Sequence, residues 1–216
     1  HRAEHPRRYA VAGLGGWGHS VGLVFENWSV EEFSLRELRR EGLRHVFGLD
    51  YGYTNDPTAF IAAAVDEAQK HIYLYDEHYQ RRMLNEDIAA MIVEKGYQKE
   101  RIRADAAEPK SNEDLRRLGI CRLQAANKGR DSVLSGISRL QEYRMVVHPR
   151  CVHTAAELRG YVWQADGRDG VYRNLPCDKD NHLMDALRYA MEDVPRPPVG
   201  PKRVRRYGLP RGGWKG

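Results

Sequence analysis

His45-Val46-Phe47-Gly48-Leu49-Asp50 is a short apolar run that ends on a carboxylate, and the segments around it set the architecture. Two more β-forming runs come close behind, Thr58-Ala59-Phe60-Ile61-Ala62-Ala63-Ala64-Val65 and His71-Ile72-Tyr73-Leu74-Tyr75. Three consecutive strands with tight connections predict an antiparallel meander. A helical pattern follows over about 85–95, with Asn85 as its cap and Ile88, Ala89, Ile92 and Val93 on one face. Next come a strand at 100–105, a helix opening at Ser111-Asn112-Glu113-Asp114 and stopping at Gly119, and a short strand at Cys121-Arg122-Leu123. A helix from Ser132 to Tyr143 and a strand at Met145-Val146-Val147-His148 complete the alternation. This order predicts an α/β fold, a mixed sheet with helices on both faces.

The same order is the RNase H-like one, in which the first and fourth strands run parallel and side by side. Asp50 and Asp105 then share one sheet end, and ligands of open α/β sheets gather at the carboxyl ends of strands. A third aspartate, Asp185, lies in a final helix over about 180–192 that Pro195 ends. His182 is three residues before it, on the same face, while Leu183, Ala186, Leu187 and Ala190 form the packing face. Carboxylates a few Å apart repel, and one takes up a proton unless divalent metal holds them together. Plainer readings stand beside this one: Asp50 as the cap of its turn, and His182 with Asp185 as a solvated helix side. Glu108 is expected to favour the next helix N-terminus through the dipole rather than to add a ligand. Asp50-Tyr51-Gly52 also fits the phosphate loops of actin- and sugar-kinase-type ATPases, but the second loop they need is absent.

Outside the core, residues 1–42 are Gly- and Trp-studded and read as a linker-like segment, charged and helical at 31–41. A hairpin is expected at 161–164 and 171–174 around Asp166-Gly167-Arg168-Asp169-Gly170, either gating or guiding a substrate or completing the sheet as an edge ribbon. The formal charge is +5, from 35 basic and 30 acidic residues. Seven of those basic residues and no acid lie from Pro195 onward, leaving 28 against 30 elsewhere, a net of −2. The 195–216 tail, rich in Pro, Gly and Arg, is expected to be disordered when free. Cys121, Cys151 and Cys177 have no metal-binding or redox spacing. No run of about 18 apolar residues occurs, so no membrane helix is expected, and the start at His1 suggests a piece of a longer protein.

Three phrases carry a family likeness: Gly48-Leu49-Asp50-Tyr51-Gly52 with Asp56-Pro57-Thr58-Ala59; Ala104-Asp105-Ala106-Ala107-Glu108-Pro109-Lys110-Ser111; and Asp180-Asn181-His182-Leu183-Met184-Asp185-Ala186-Leu187-Arg188-Tyr189-Ala190. They resemble the signature segments of the C-terminal nuclease domain of tailed-bacteriophage terminase large subunits, in the prophage-type group. Gly15-Gly16-Trp17-Gly18 through Gly22-Leu23-Val24-Phe25 resembles that family's connection between ATPase and nuclease parts. The resemblance implies a metal-dependent endonuclease that cuts concatemeric viral DNA during genome packaging, by phosphodiester hydrolysis with two Mg²⁺ or Mn²⁺ ions. It makes Asp50, Asp105 and Asp185 the catalytic metal ligands, with His182 beside them. It also implies double-stranded DNA as substrate, the terminase small subunit and portal protein as partners of the full-length protein, and the host bacterial cytoplasm as location. Lys110, Lys128, Arg130 and, in the tail, Arg203, Arg205 and Arg206 are the candidates for phosphate contacts. No G-x-x-x-x-G-K-[ST] is present, so 1–42 would join a missing ATPase domain to a nuclease domain at 43–194. Two alternatives stand: a Holliday-junction resolvase or transposase-like nuclease on the same fold, and a non-catalytic capsid or portal docking module.

Overall fold

Along Arg44–Asp50 the side chains alternate between two apolar layers, Val46 entering one and Phe47 and Leu49 the other, so the sheet is covered on both faces. The computed structural model describes residues 22–127, 129, 132–165 and 172–195. The Gly15–Gly18 part of the expected connection, Lys128, Arg130, the 166–171 turn and the tail with Arg203, Arg205 and Arg206 lie outside the described residues.

In chain order the elements are β1 (Trp28–Val30), α1 (Leu35–Arg40), β2 (Arg44–Asp50), β3 (Thr58–Asp66), β4 (His71–Gln80), α2 (Asn85–Glu94), β5 (Ile102–Ala104) and α3 (Pro109–Arg117). Then follow β6 (Leu123–Ala125), α4 (Ser132–Gln141), β7 (Arg144–Val147), α5 (Val152–Gly160), β8 (Trp163–Ala165), β9 (Tyr172–Pro176) and α6 (His182–Ala190). Seven strands form one sheet in the order β1-β7-β4-β3-β2-β5-β6. The β2-β3-β4 meander is antiparallel, and β5 joins β2 in parallel, as the sequence predicts. Helices α4, α5 and α6 pack on the Val46 face and α1, α2 and α3 on the Phe47 face. The fold is the mixed α/β, RNase H-like sheet. Among the described residues no helix is long and apolar enough to cross a membrane.

Several boundaries differ from expectation for physical reasons. Part of the linker-like segment is built into the fold: Trp28–Val30 pairs in parallel with β7, and Val24, Phe25 and Leu38 are buried. Strand β4 runs on to Gln80 through Asp76-Glu77-His78, too polar to read as a strand from sequence. Those groups find partners in space: Asp76 binds Lys95 at 2.8 Å and Tyr97 at 3.0 Å. Asn85 does not cap α2 but begins it, and Asp87 accepts the Leu84 N–H at 2.9 Å. Pro109 opens α3 two residues before the Ser111 start, since a proline at the first helical position loses no internal hydrogen bond. Helix α5 has no counterpart among the sequence expectations. The hairpin exists, but as a separate two-stranded sheet rather than an edge ribbon of the main one.

Candidate functional site

Asp50 closes β2 on the α6 side and is buried, at 8% exposure. In the parallel register Leu49 lies opposite Ala104, and the Asp105 N–H donates to the Leu49 carbonyl at 3.0 Å, so Asp105 stands beside Asp50 one step past its strand. Asn112 of α3 steadies this pair of strand ends. It donates to the Asp105 carbonyl at 2.8 Å and accepts the Tyr51 hydroxyl at 3.0 Å. The loop after Asp50 folds tightly on Gly52, where a Cβ would lie 2.4 Å from the Asp56 and Pro57 carbonyl oxygens. Thr58 Oγ1 donates to the Gly52 carbonyl at 2.8 Å.

Helix α6 reaches this end because β2 has no side chain at Gly48: a Cβ there would meet the Ala186 carbonyl oxygen at 1.8 Å. Its apolar stripe, Leu183, Ala186, Leu187 and Ala190, is fully buried as predicted, with Met184 beside it. The first turn then carries His182 and Asp185 to the carboxylates. His182 Nδ1 is 3.1 Å from Asp50 Oδ2, and Nε2 is 3.6 Å from Asp56 Oδ1. Arg188 Nε and Nη2 approach Asp185 Oδ1 at 3.2 and 2.9 Å. The structure therefore brings Asp50, Asp105, Asp185 and His182 to one sheet end. Glu108 takes the cap position of α3 without a side-chain cap bond, and Lys110 is exposed in the first turn of α3.

Burial raises the Asp50 carboxyl to about 6, with the nearby Asp185 and Asp105 charges adding and the His182 hydrogen bond opposing. Burial also raises Asp185, against the pull of Arg188. His182 is raised, chiefly by its bond to Asp50. A carboxyl held above its ordinary value binds its proton more tightly in the fold than in the unfolded chain. The stabilisation is complete below about pH 4 and disappears as pH rises through about 6. Metal-free protein is thus expected to lose on the order of 1–3 kcal/mol between those limits relative to an Asp50→Asn variant, in urea unfolding with EDTA. A constant difference between the two proteins across pH would contradict the coupling.

These groups suit a hard divalent cation, because they are carboxylate oxygens whose mutual repulsion the fold leaves only partly compensated. Among the described residues the protein hydrogen bonds of each aspartate side chain run through one oxygen: Asp50 Oδ2 to His182, Asp105 Oδ1 to the Ala107 N–H and Asp185 Oδ1 to Arg188. Among the described residues no group of three or more His, Cys, Asp or Glu side chains is arranged to hold a metal ion. Mg²⁺-type ions keep several waters and need only one or two protein carboxylates.

Two residues at the site were not singled out from sequence. Arg188, whose side chain is 9% exposed, was legible in principle as a partner three residues after Asp185. Glu157 was not: it lies in the unanticipated α5, is 5% exposed, and accepts the Leu183 and Met184 N–H groups at 3.1 and 3.0 Å. The expected phosphate contacts other than Lys110 cannot be placed at the site, as they fall outside the described residues.

Residues 50–193 match the family described as Terminase RNAseH like domain. The chain is 36% identical over 174 residues to the terminase large subunit of Bacillus phage SPP1, covering 78% of this chain and 40% of that protein. It is 30% identical over 147 residues to the PBSX phage terminase large subunit of Bacillus subtilis strain 168, covering 68% of this chain and 34% of that protein. The chain thus spans well under half the length of these curated relatives. Among solved structures, the g2p (large terminase) nuclease domain of bacteriophage SPP1 with bound Mn superposes with a TM-score of 0.72 at 35% identity, covering 79% of this chain and 98% of that one. With the seven-stranded sheet and the carboxylates at its end, the match over 50–193 means that the chain belongs to the terminase RNase H-like domain family, the nuclease domain of phage terminase large subunits.

Proposed function

We propose that this chain is a divalent-metal-dependent endodeoxyribonuclease that cuts double-stranded, concatemeric viral DNA during genome packaging. One observation supports the reading: Asp50 and Asp105 stand side by side at the carboxyl ends of two parallel strands, with His182 3.1 Å from Asp50 and Asp185 near enough for its charge to act on Asp50. The Mn bound to the related SPP1 nuclease domain supports the choice of cation. In this reading Asp50, Asp105 and Asp185 hold two Mg²⁺ or Mn²⁺ ions, with His182 alongside. Such ions activate the attacking water and stabilise the leaving 3′-oxygen of a phosphodiester.

The chain's own residues prepare that chemistry. His182 orients Asp50 through Nδ1, and Arg188 takes one oxygen of Asp185 and offsets its charge. The Asn112 bridge holds the two strand-end loops together, so the spacing of Asp50 and Asp105 is set before a cation arrives. Lys110 is a phosphate contact in this scheme. The domain plan follows the family: 1–42 leads from a preceding ATPase domain and adds Trp28–Val30 to the nuclease sheet, 43–194 is the body of the nuclease, and 195–216 is a basic tail. The small subunit and portal protein are the proposed partners, in the host bacterial cytoplasm. Family membership favours this reading over a resolvase, a transposase-like nuclease or a docking module.

The test is digestion of supercoiled plasmid with Mn²⁺, Mg²⁺ or EDTA. Nicked and linear products are expected with at least one of the ions and none with EDTA. Intact plasmid under every condition, from folded protein, would overturn the proposal.

A further inference from the structure

Helix α6 presents His182 and Asp185 from its first turns, yet its own N-cap, Asn181, makes no side-chain capping bond. Unpaired amides at a buried helix start are costly, so a partner has to come from elsewhere. It comes from Glu157 in α5. Oε1 accepts the Leu183 N–H at 3.1 Å and Oε2 accepts the Met184 N–H at 3.0 Å. These two residues lie between His182 and Asp185 in sequence. One carboxylate spread over two adjacent amides, in a site only 5% exposed, opposes both sliding and rotation of the helix end.

Helix α5 is itself docked in the same manner. A bulge in the β3-β4 pairing shifts the register between Ala62 and Ala63, placing Tyr75 and Asp76 on one face and Glu77 and Tyr79 on the α5 face. Glu77 then accepts the His153 and Thr154 N–H groups at 2.8 Å each and the Thr154 hydroxyl at 2.6 Å. Two carboxylates thus link β4 to α5 and α5 to α6.

We propose that Glu157 is a positioning residue, which through the Leu183 and Met184 amides sets where His182 and Asp185 stand relative to Asp50 and Asp105. The inference rests on the metal-site reading above. Glu157→Gln keeps the size but turns one acceptor into a donor facing an N–H. In metal-free protein the Leu183 and Met184 amides are expected to exchange roughly tenfold faster, the scale of one lost hydrogen bond. Mn²⁺ affinity, followed by electron paramagnetic resonance, is expected to fall by about 10- to 100-fold, the usual effect of losing a residue that orients ligands.

Thr154→Val is the control. It removes a bond from the same helix to Glu77, and is expected to lower the melting temperature while leaving Mn²⁺ affinity near that of the parent. Should Glu157→Gln fail to fold, Glu157→Asp, which retains the carboxyl with a shorter reach, is read in its place. Parent-like Mn²⁺ affinity in the folded Glu157 variant, or an equal loss in Thr154→Val, would make Glu157 merely structural and overturn the proposal. A parent protein that binds no Mn²⁺ would instead defeat the metal-site reading, and this inference with it, a result that the parent alone reveals.

Discussion

Asp50→Asn, Asp105→Asn and Asp185→Asn are each expected to lower Mn²⁺-dependent plasmid cleavage by on the order of 10²–10³-fold or more, the scale of removing one preorganised electrostatic contact to a transition state. Asparagine keeps the side-chain size but removes a charge that helps hold a cation. The three substitutions differ in what they do to the metal-free fold. Burial, with the Asp185 and Asp105 charges adding to it, pushes the Asp50 carboxyl up to about 6, so Asp50→Asn removes a poorly solvated charge and its repulsion and should stabilise the apo protein at neutral pH. Asp185 is different, because its partner Arg188 has a side chain only 9% exposed. Asp185→Asn leaves that guanidinium without its counter-charge, which should cost about 3 kcal/mol in urea unfolding. Activity loss accompanied by opposite stability changes in these two variants would separate ligand chemistry from general disruption. Parent-level cleavage by all three, in preparations free of contaminating nuclease, would sink the site assignment.

The second large effect concerns a residue that takes no part in the chemistry. At Gly48 a Cβ would lie 1.8 Å from the Ala186 carbonyl oxygen and 3.2 Å from the Ala190 Cβ. Backbone cannot move aside as a flexible side chain does, so Gly48→Ala has to lift α6 off β2. Because α6 carries His182 and Asp185, the expected result is joint: destabilisation of about 3 kcal/mol or more, and loss of Mn²⁺ binding in whatever fraction remains folded. Thermal unfolding read beside Mn²⁺ binding checks both. A Gly48→Ala protein with the parent's melting temperature and affinity would mean that the helix does not rest on this strand as closely as described.

Legibility from sequence follows the range of the interactions involved. The meander, the parallel pairing of β2 with β5 and the packing stripe of α6 were all read correctly, because apolar periodicity is written into neighbouring residues. That reading sufficed to bring Asp50 and Asp105 to the same sheet end, and the Asp180–Ala190 phrase supplied Asp185 and His182. Strand β4 was read five residues short, because Asp76, Glu77 and His78 are polar and the alternation breaks at the bulge beside Tyr75. Helix α5 was not read at all: it opens Val152-His153-Thr154 with no local side-chain cap, and its cap is Glu77, some 76 positions earlier in the chain.

By itself, then, the sequence determined the fold class and singled out the candidate aspartates, since both rest on patterns and phrases contained within single segments. Only the tertiary structure decided how those aspartates are held. Asp50 meets His182 from 132 positions away, and Glu157 meets the amides of α6 from 26 and 27 positions away. Such partners leave no local pattern, because burial makes a lone carboxylate costly and obliges it to find donors wherever the packed chain brings them.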